Sequence, residues 1–204
     1  PYAIRARMAL RYANIPVELR EVVLRQMPVE LLECSPKATV PVLVFHDGRV
    51  LDESRDIIDW ALSTHDPDGW QAPDAAQQAL VNQLISENDL TFKASLDRYK
   101  YAERYPAYPA AHYRAQGESC LRQLDARLGA TAWLAGERMS VADVAIFPFV
   151  RQFAHVDRDW FDQAPYRRLQ SWLQGFLEGD LFKSVMQKYP RWQAGDPVQR
   201  FPQA

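Results

Sequence analysis

The chain changes character once, at His65-Asp66-Pro67-Asp68-Gly69-Trp70-Gln71-Ala72-Pro73, and this change constrains the fold more than any other feature. The stretch has no hydrophobic period and concentrates Pro, Gly and Asp, which interrupt helices and strands, so it reads as a linker. Before it, strand and helix patterns alternate. Val17 to Leu24 mixes alternation with β-branched residues and reads as a strand, Pro28 to Cys34 as a short helix, and Val42-Leu43-Val44-Phe45 as a core strand. His46-Asp47-Gly48-Arg49 turns that strand into a partner at Val50-Leu51. Ser54 is placed to cap a helix from Arg55 to about Thr64, with Ile57, Ile58, Ala61 and Leu62 at helical spacing. After the linker every segment predicts helix: Ala75 to Arg104, Ala110 to Leu128, Val141 to Ala154, Pro165 to Glu178 and Leu181 to Lys188. Ser140-Val141-Ala142-Asp143 is a capping box with Asp in the Glu position, and Met139 is placed to staple onto Val144. The expected organisation is a mixed α/β domain over residues 1–64, a linker over 65–73 and an all-helical domain over 74–204.

A chain of 204 residues has room for two such domains, each large enough to bury a core. With 24 Lys+Arg against 26 Asp+Glu it lacks the basic excess that phosphate-backbone binding requires, so nucleic acid is not an expected partner. The longest apolar-rich stretches, Thr39 to Phe45 and Val141 to Val150, fall well short of the ~20 residues that span a bilayer, and no membrane segment is expected. Cys34 and Cys120 lie far apart with no disulfide-framework spacing, which favours a cytoplasmic location, and both fall in predicted helices as small buried side chains. His46, His65, His112 and His155 lack the spacing of a metal site, so no metal is expected.

Three local features bear on chemistry. Val40-Pro41 feeds the core strand, and X–Pro is the one peptide at which a cis bond costs little; that geometry would turn the Val40 N–H and C=O outward toward an extended peptide, the alternative being an ordinary trans proline. Glu53-Ser54 at a helix start could hold an ammonium and a carboxylate together, as an α-amino-acid head group presents them, or could simply be a helix cap beside an acidic neighbour. Pro1-Tyr2-Ala3 opens an apolar-periodic helix with proline at its first position, so the expectation is that a strand and a cap precede Pro1 in the full protein. A cysteine there would sit at the positive end of the helix, where thiolates are stabilised.

Pro1-Tyr2-Ala3, Ser35-Pro36-Lys37-Ala38-Thr39-Val40-Pro41-Val42-Leu43, Leu51-Asp52-Glu53-Ser54 and Ser140-Val141-Ala142-Asp143 stand in the order and spacing of the cytosolic glutathione transferase family, which the chain resembles over nearly its whole length. It looks most like the cysteine-type branch that includes the omega-like transferases, whose active-site motif is similar to Cys-Pro-Phe-Ala or Cys-Pro-Tyr-Ala. The resemblance implies an α/β plus all-α architecture: a thioredoxin-like N-terminal domain followed by an all-helical C-terminal domain. It implies glutathione as cosubstrate, with Val40 and Pro41 beside its cysteinyl unit, Glu53 and Ser54 at its γ-glutamyl end, and Tyr2 nearby. The lysine that meets the glycine carboxylate in omega-like relatives falls on Met27 here, leaving Arg25 and Lys37 as substitutes.

The implied reaction is monothiol transfer or reduction of glutathionylated substrates, because Ala3 stands where a dithiol enzyme has its second cysteine. Conjugation of glutathione to hydrophobic electrophiles is the alternative, and a non-catalytic interaction module with this fold is a third. The second substrate, a small hydrophobic or thiol-conjugated compound, is expected in a cleft lined by the helix that starts near Ala75, where Phe92, Tyr99, Tyr101, Tyr105, Tyr108 and Tyr113 crowd together; Tyr99 and Tyr105 are the named candidates. The family resemblance also implies a homodimer.

Overall fold

The computed structural model describes residues 1–202. In chain order the first elements are α1 (Tyr2–Tyr12), β1 (Val17–Glu18), α2 (Val29–Cys34), β2 (Leu43–Val44), β3 (Val50–Leu51) and α3 (Ser54–Thr64). There follow α4 (Ala75–Glu87), a π-helical turn (Asn88–Phe92), α5 (Lys93–Lys100), a 3-10 turn (Ala102–Arg104) and α6 (Ala110–Arg127). The last elements are α7 (Val141–Ala154), α8 (Arg158–Gln163), α9 (Arg167–Glu178), α10 (Asp180–Val185) and β4 (Arg200–Phe201). These fall into two compact units, one of residues 2–67 with the chain from Gly179 onward, the other of Asp68–Glu178.

In the first unit α1 and α3 pack against each other through faces set by helical spacing. Ala6, Met8, Ala9 and Leu10 are buried on α1, and Ile57, Ile58, Ala61 and Leu62 on α3. β2 and β3 form an antiparallel hairpin with Leu43 opposite Leu51 and Val44 opposite Val50. The strand expected from Val17 to Leu24 is shorter than its pattern: among the described residues Val17 and Glu18 pair as a strand, the Leu19 N–H donates to the Gln199 carbonyl at 2.7 Å, and a turn closed by Val23 and Gln26 follows.

The partner of β1 is β4, with Val17 opposite Phe201 and Glu18 opposite Arg200. Residues 179–202 thus pack with the first unit, whereas the sequence reading places them in the helical domain. α10 packs on α1, Val185 and Phe201 are almost fully buried, and the Trp192 N–H donates to the Glu21 carbonyl at 2.8 Å. The expected linker is also shorter than its composition suggests. From Asp68 onward the chain belongs to the helical unit, Trp70 is buried, and its carbonyl accepts from the Val141 N–H at 3.0 Å.

The second unit is organised around α7, which is buried on nearly every face, as an apolar run from Val144 to Val150 requires. Phe147 stacks on Phe176 with centroids 4.5 Å apart, and Phe153 meets Phe92 at 5.3 Å and Tyr99 at 4.9 Å. At Gly117 any Cβ would lie 2.4 Å from the Phe153 ring, so only glycine allows α6 this close. The single long helix expected over Ala75 to Arg104 is instead α4, the π-helical turn and α5, ending at Lys100.

The start of α7 is the capping box foreseen in the sequence, with Ser140 as cap and Asp143 bonding back. The Asp143 carboxylate also does more than cap. It accepts from the Ser140 N–H at 3.0 Å and hydroxyl at 2.9 Å, from the Leu134 N–H at 3.0 Å and from the Trp172 indole N–H at 3.0 Å. Burial pushes its pKa up against the pull of these four donors. One side chain thereby ties the loop before α7 to the α7 cap and to α9.

Candidate functional site

Two chains of side-chain contacts meet at the start of α3. The first comes from α1. Arg5 lies on the same helical face as Met8 and Ala9 and is itself 2% exposed, so its guanidinium is carried into the packing between α1 and α3. Its Nε–H donates to Ser54 Oγ at 3.0 Å, and its guanidinium carbon lies 5.0 Å from the centroid of the Tyr2 ring. Ser54 is equally buried. The N-cap position of α3 is Glu53, which makes no side-chain capping bond, and Ser54 is the first helical residue. This corrects the expected register by one position. Because Ser54 Oγ accepts from Arg5, its hydroxyl hydrogen is left to donate elsewhere. A hydroxyl donor, a buried guanidinium and a helix N-terminus all favour an anion here.

The second chain comes from the loop after α2. Lys37 Nζ donates to Glu53 Oε1 at 2.7 Å and to Asp52 Oδ1 at 3.0 Å, and the buried Ser35 donates through its hydroxyl to Asp52 Oδ2 at 3.0 Å. The bonds to Glu53 and Asp52 hold the Lys37 ammonium above its ordinary pKa. The bonds from Lys37 and then Ser35 hold the Asp52 carboxyl below its own. The Glu53 side chain is 61% exposed, so its pairing with Lys37 is worth little and exchanges readily for another ammonium.

These contacts place the sequence-expected residues unevenly. Tyr2, Lys37, Glu53 and Ser54 belong to the two converging networks. Val40, three residues after Lys37, is half-buried, and neither its N–H nor its C=O has a hydrogen-bond partner among the described residues; the Val40–Pro41 peptide is cis. Lys37 spends its ammonium on Asp52 and Glu53, whereas the resemblance implied that it would meet a glycine carboxylate. Arg25 stands apart, exposed at the tip of the turn between Val23 and Gln26, with no hydrogen bond or ion pair among the described residues. Tyr99 is 5% exposed and packs on Phe153, so it is a core residue of the helical unit and not a pocket wall. Tyr105 does line an open pocket of that unit.

Of the cysteines, Cys34 is exposed at the end of α2, contrary to the burial expected for it. Cys120 is partly buried on α6, and burial pushes its thiol pKa up. Among the described residues no helix is long and apolar enough to cross a membrane, and no group of His, Cys, Asp and Glu is placed to hold a metal ion.

Sequence reasoning missed Arg5, Asp52 and Ser35. Arg5 carried a signal, being the one charged residue at a buried position among Ala6, Met8 and Ala9. Asp52 and Ser35 read as ordinary loop polarity, and only the tertiary approach of their two loops pairs them.

The glutathione S-transferase N-terminal domain model matches residues 1–69, and the C-terminal domain model of the same family matches residues 93–175. Glutathione S-transferase D7 of Anopheles gambiae is 27% identical over 165 residues, covering 78% of this chain and 74% of that protein. FtsZ-localized protein A of Caulobacter vibrioides is 24% identical over 218 residues, covering 98% of this chain and 92% of its own. The bacterial transferase BphK, solved as a ternary complex, superposes with a TM-score of 0.76 at 22% identity over 91% of this chain and 93% of its own. The chain belongs to the glutathione S-transferase family of enzymes. Its first unit is the thioredoxin-like domain of that fold, with small sheets, and its second is the helical domain.

Proposed function

We propose that the protein is a glutathione-dependent transferase of the cysteine type, which binds the tripeptide along Val40 with its γ-glutamyl head at Glu53 and Ser54. The observation that carries this reading is the convergence of Arg5 and Lys37 on the adjacent pair Ser54 and Glu53. The pair offers a hydroxyl donor backed by a buried cation for a carboxylate, and an exposed carboxylate for an ammonium, which together match an α-amino-acid head group. Support for Val40 as the backbone partner is that its N–H and C=O are otherwise unused among the described residues.

The favoured reaction is thiol transfer through a cysteine expected immediately before Pro1, at the N-terminal end of α1. The helix dipole holds a thiolate ionised there. That thiolate attacks the glutathione sulfur of a glutathionylated substrate, the old S–S bond breaks, and the substrate leaves as its thiol. The thiolate of a second glutathione then attacks the enzyme-bound mixed disulfide, releasing oxidised glutathione and restoring the enzyme thiolate. Neither Cys34 nor Cys120 fits this role. Cys34 lies at the negative end of α2, and burial disfavours ionisation of Cys120. Conjugation to a hydrophobic electrophile is a second reading, favoured by the tyrosine-lined pocket of the helical unit. We also place the protein in the cytoplasm as a homodimer; two free cysteines suit a reducing compartment.

The test is a calorimetric titration of the full-length protein with glutathione. Ser54→Ala is expected to weaken binding roughly 10- to 100-fold, the loss of one hydrogen bond to a charged group. Failure of the wild type to bind glutathione would leave the non-catalytic module as the answer. The reaction is then read by mass spectrometry: incubation with oxidised glutathione yields a mixed disulfide on the protein if thiol transfer is correct, and none if the enzyme only conjugates.

A further inference from the structure

The helical unit carries an open pocket of about 450 Å³, a size that suits a small planar ring system. Its walls include Tyr105, Tyr108 and Tyr113, and its charged lining consists of Arg98 and Arg104 with no acidic side chain. The aromatic part is braced. Tyr113 is buried and donates its hydroxyl to the Tyr105 carbonyl at 3.0 Å. The rings of Tyr105 and Tyr108 each meet Tyr113 edge-on at 6.2 Å, and Tyr108 stacks on His112 at 4.1 Å.

The cationic part is only weakly engaged. Arg98 has no ion pair or hydrogen bond among the described residues. Arg104 lies 4.4 Å over the Tyr101 ring, and its one acidic neighbour, Glu103, is 3.6 Å away with both side chains more than 60% exposed, an arrangement worth little in water. Planar guanidinium forks beside aromatic walls match a planar ligand that carries a carboxylate or sulfonate at its edge.

We propose that this pocket selects planar aromatic monoanions, with Arg98 and Arg104 reading the charge and Tyr105, Tyr108 and Tyr113 reading the ring. The role of such a compound as second substrate rests on the transferase reading above; its binding does not. The experiment titrates the full-length protein, without glutathione, with 2-naphthoate and with naphthalene-2-carboxamide, which share a ring and differ in charge. In the wild type, 2-naphthoate is expected to bind on the order of 10-fold more tightly than the carboxamide, the scale of one charge-assisted contact. The double variant R98Q/R104Q, altered only at exposed side chains, is expected to bind both compounds equally, at the wild-type carboxamide affinity. Tyr108→Ala is expected to weaken both.

Equal affinity for the two compounds in the wild type, a preference that survives R98Q/R104Q, or indifference of both compounds to Tyr108→Ala would each overturn the proposal. Glutathione affinity is measured separately. Anion selectivity without glutathione binding sinks the transferase reading alone, and glutathione binding without anion selectivity sinks only this one.

Discussion

Asp143→Ala is expected to lower the stability of the helical unit by about 3–5 kcal/mol, among the largest effects of any single side chain here. Truncation strands the Leu134 N–H, the Ser140 N–H and the Trp172 indole N–H, all of which donate to this carboxylate in buried surroundings. Each stranded donor costs about 1–3 kcal/mol, partly recovered by relaxation. Loss of the capping box alone would cost only about 1 kcal/mol, so the size of the effect separates a cap from a buried hub. Urea unfolding followed by tryptophan fluorescence reads the difference directly. Asp143→Asn keeps one acceptor oxygen and is expected to lose roughly half as much. A D143A protein within about 1 kcal/mol of the wild type would show that these donors find other partners.

The second large effect is expected at Arg5, through function more than stability. Arg5→Met preserves an unbranched side chain of similar reach while removing the guanidinium. Without the Nε–H donor the Ser54 hydroxyl is no longer fixed from behind, and the site loses its buried cation. Glutathione affinity should fall roughly 10- to 100-fold, the worth of about 1.5–3 kcal/mol for a charged hydrogen bond. Because Arg5 acts through Ser54, KM for glutathione should rise while kcat at saturation changes little. Arg5→Lys should restore part of the affinity, since it returns the charge without the forked geometry. Unchanged glutathione affinity in a folded R5M protein would reduce Arg5 to a packing residue.

The parts of the molecule that were legible in the sequence are those whose cause is local. The start of α7 is written in four adjacent residues, Ser140 to Asp143, and the structure reproduces it. The turn between β2 and β3 is equally local, with Gly48 at φ 86°, a conformation that favours glycine. α3 begins at Ser54, one residue before the expected start at Arg55, and the Ser54 hydroxyl accepts from Arg5, 49 residues away in the chain, instead of capping the helix. Competition of that kind leaves no mark within the Leu51 to Ser54 motif.

Non-local pairing also explains the tail. Residues 189–199 show no helical or strand period, so nothing in them reveals that Trp192, and Phe201 just beyond them, seat against the unit of α1 and β1. The same holds for the site. Glu53 and Ser54 were visible as a candidate pair, but their partners were not. Lys37 reads as a candidate partner for a glycine carboxylate, and only the fold of its loop commits it to Asp52 and Glu53. Tyr99 and Tyr105 read alike as members of one aromatic stretch, and only the end of α5 at Lys100 separates the first, in the core, from the second, on a pocket wall.

The central claim, that a glutathione backbone lies against Val40 while its head group reaches Ser54, is tested most directly by the amide resonances of these two residues. In the 15N-labelled full-length protein, saturating glutathione is expected to shift both, and to slow hydrogen exchange at Val40, whose N–H has no partner among the described residues. Binding of glutathione with the Val40 and Ser54 amides unmoved, or with exchange at Val40 as fast as before, would place the ligand elsewhere and contradict the account.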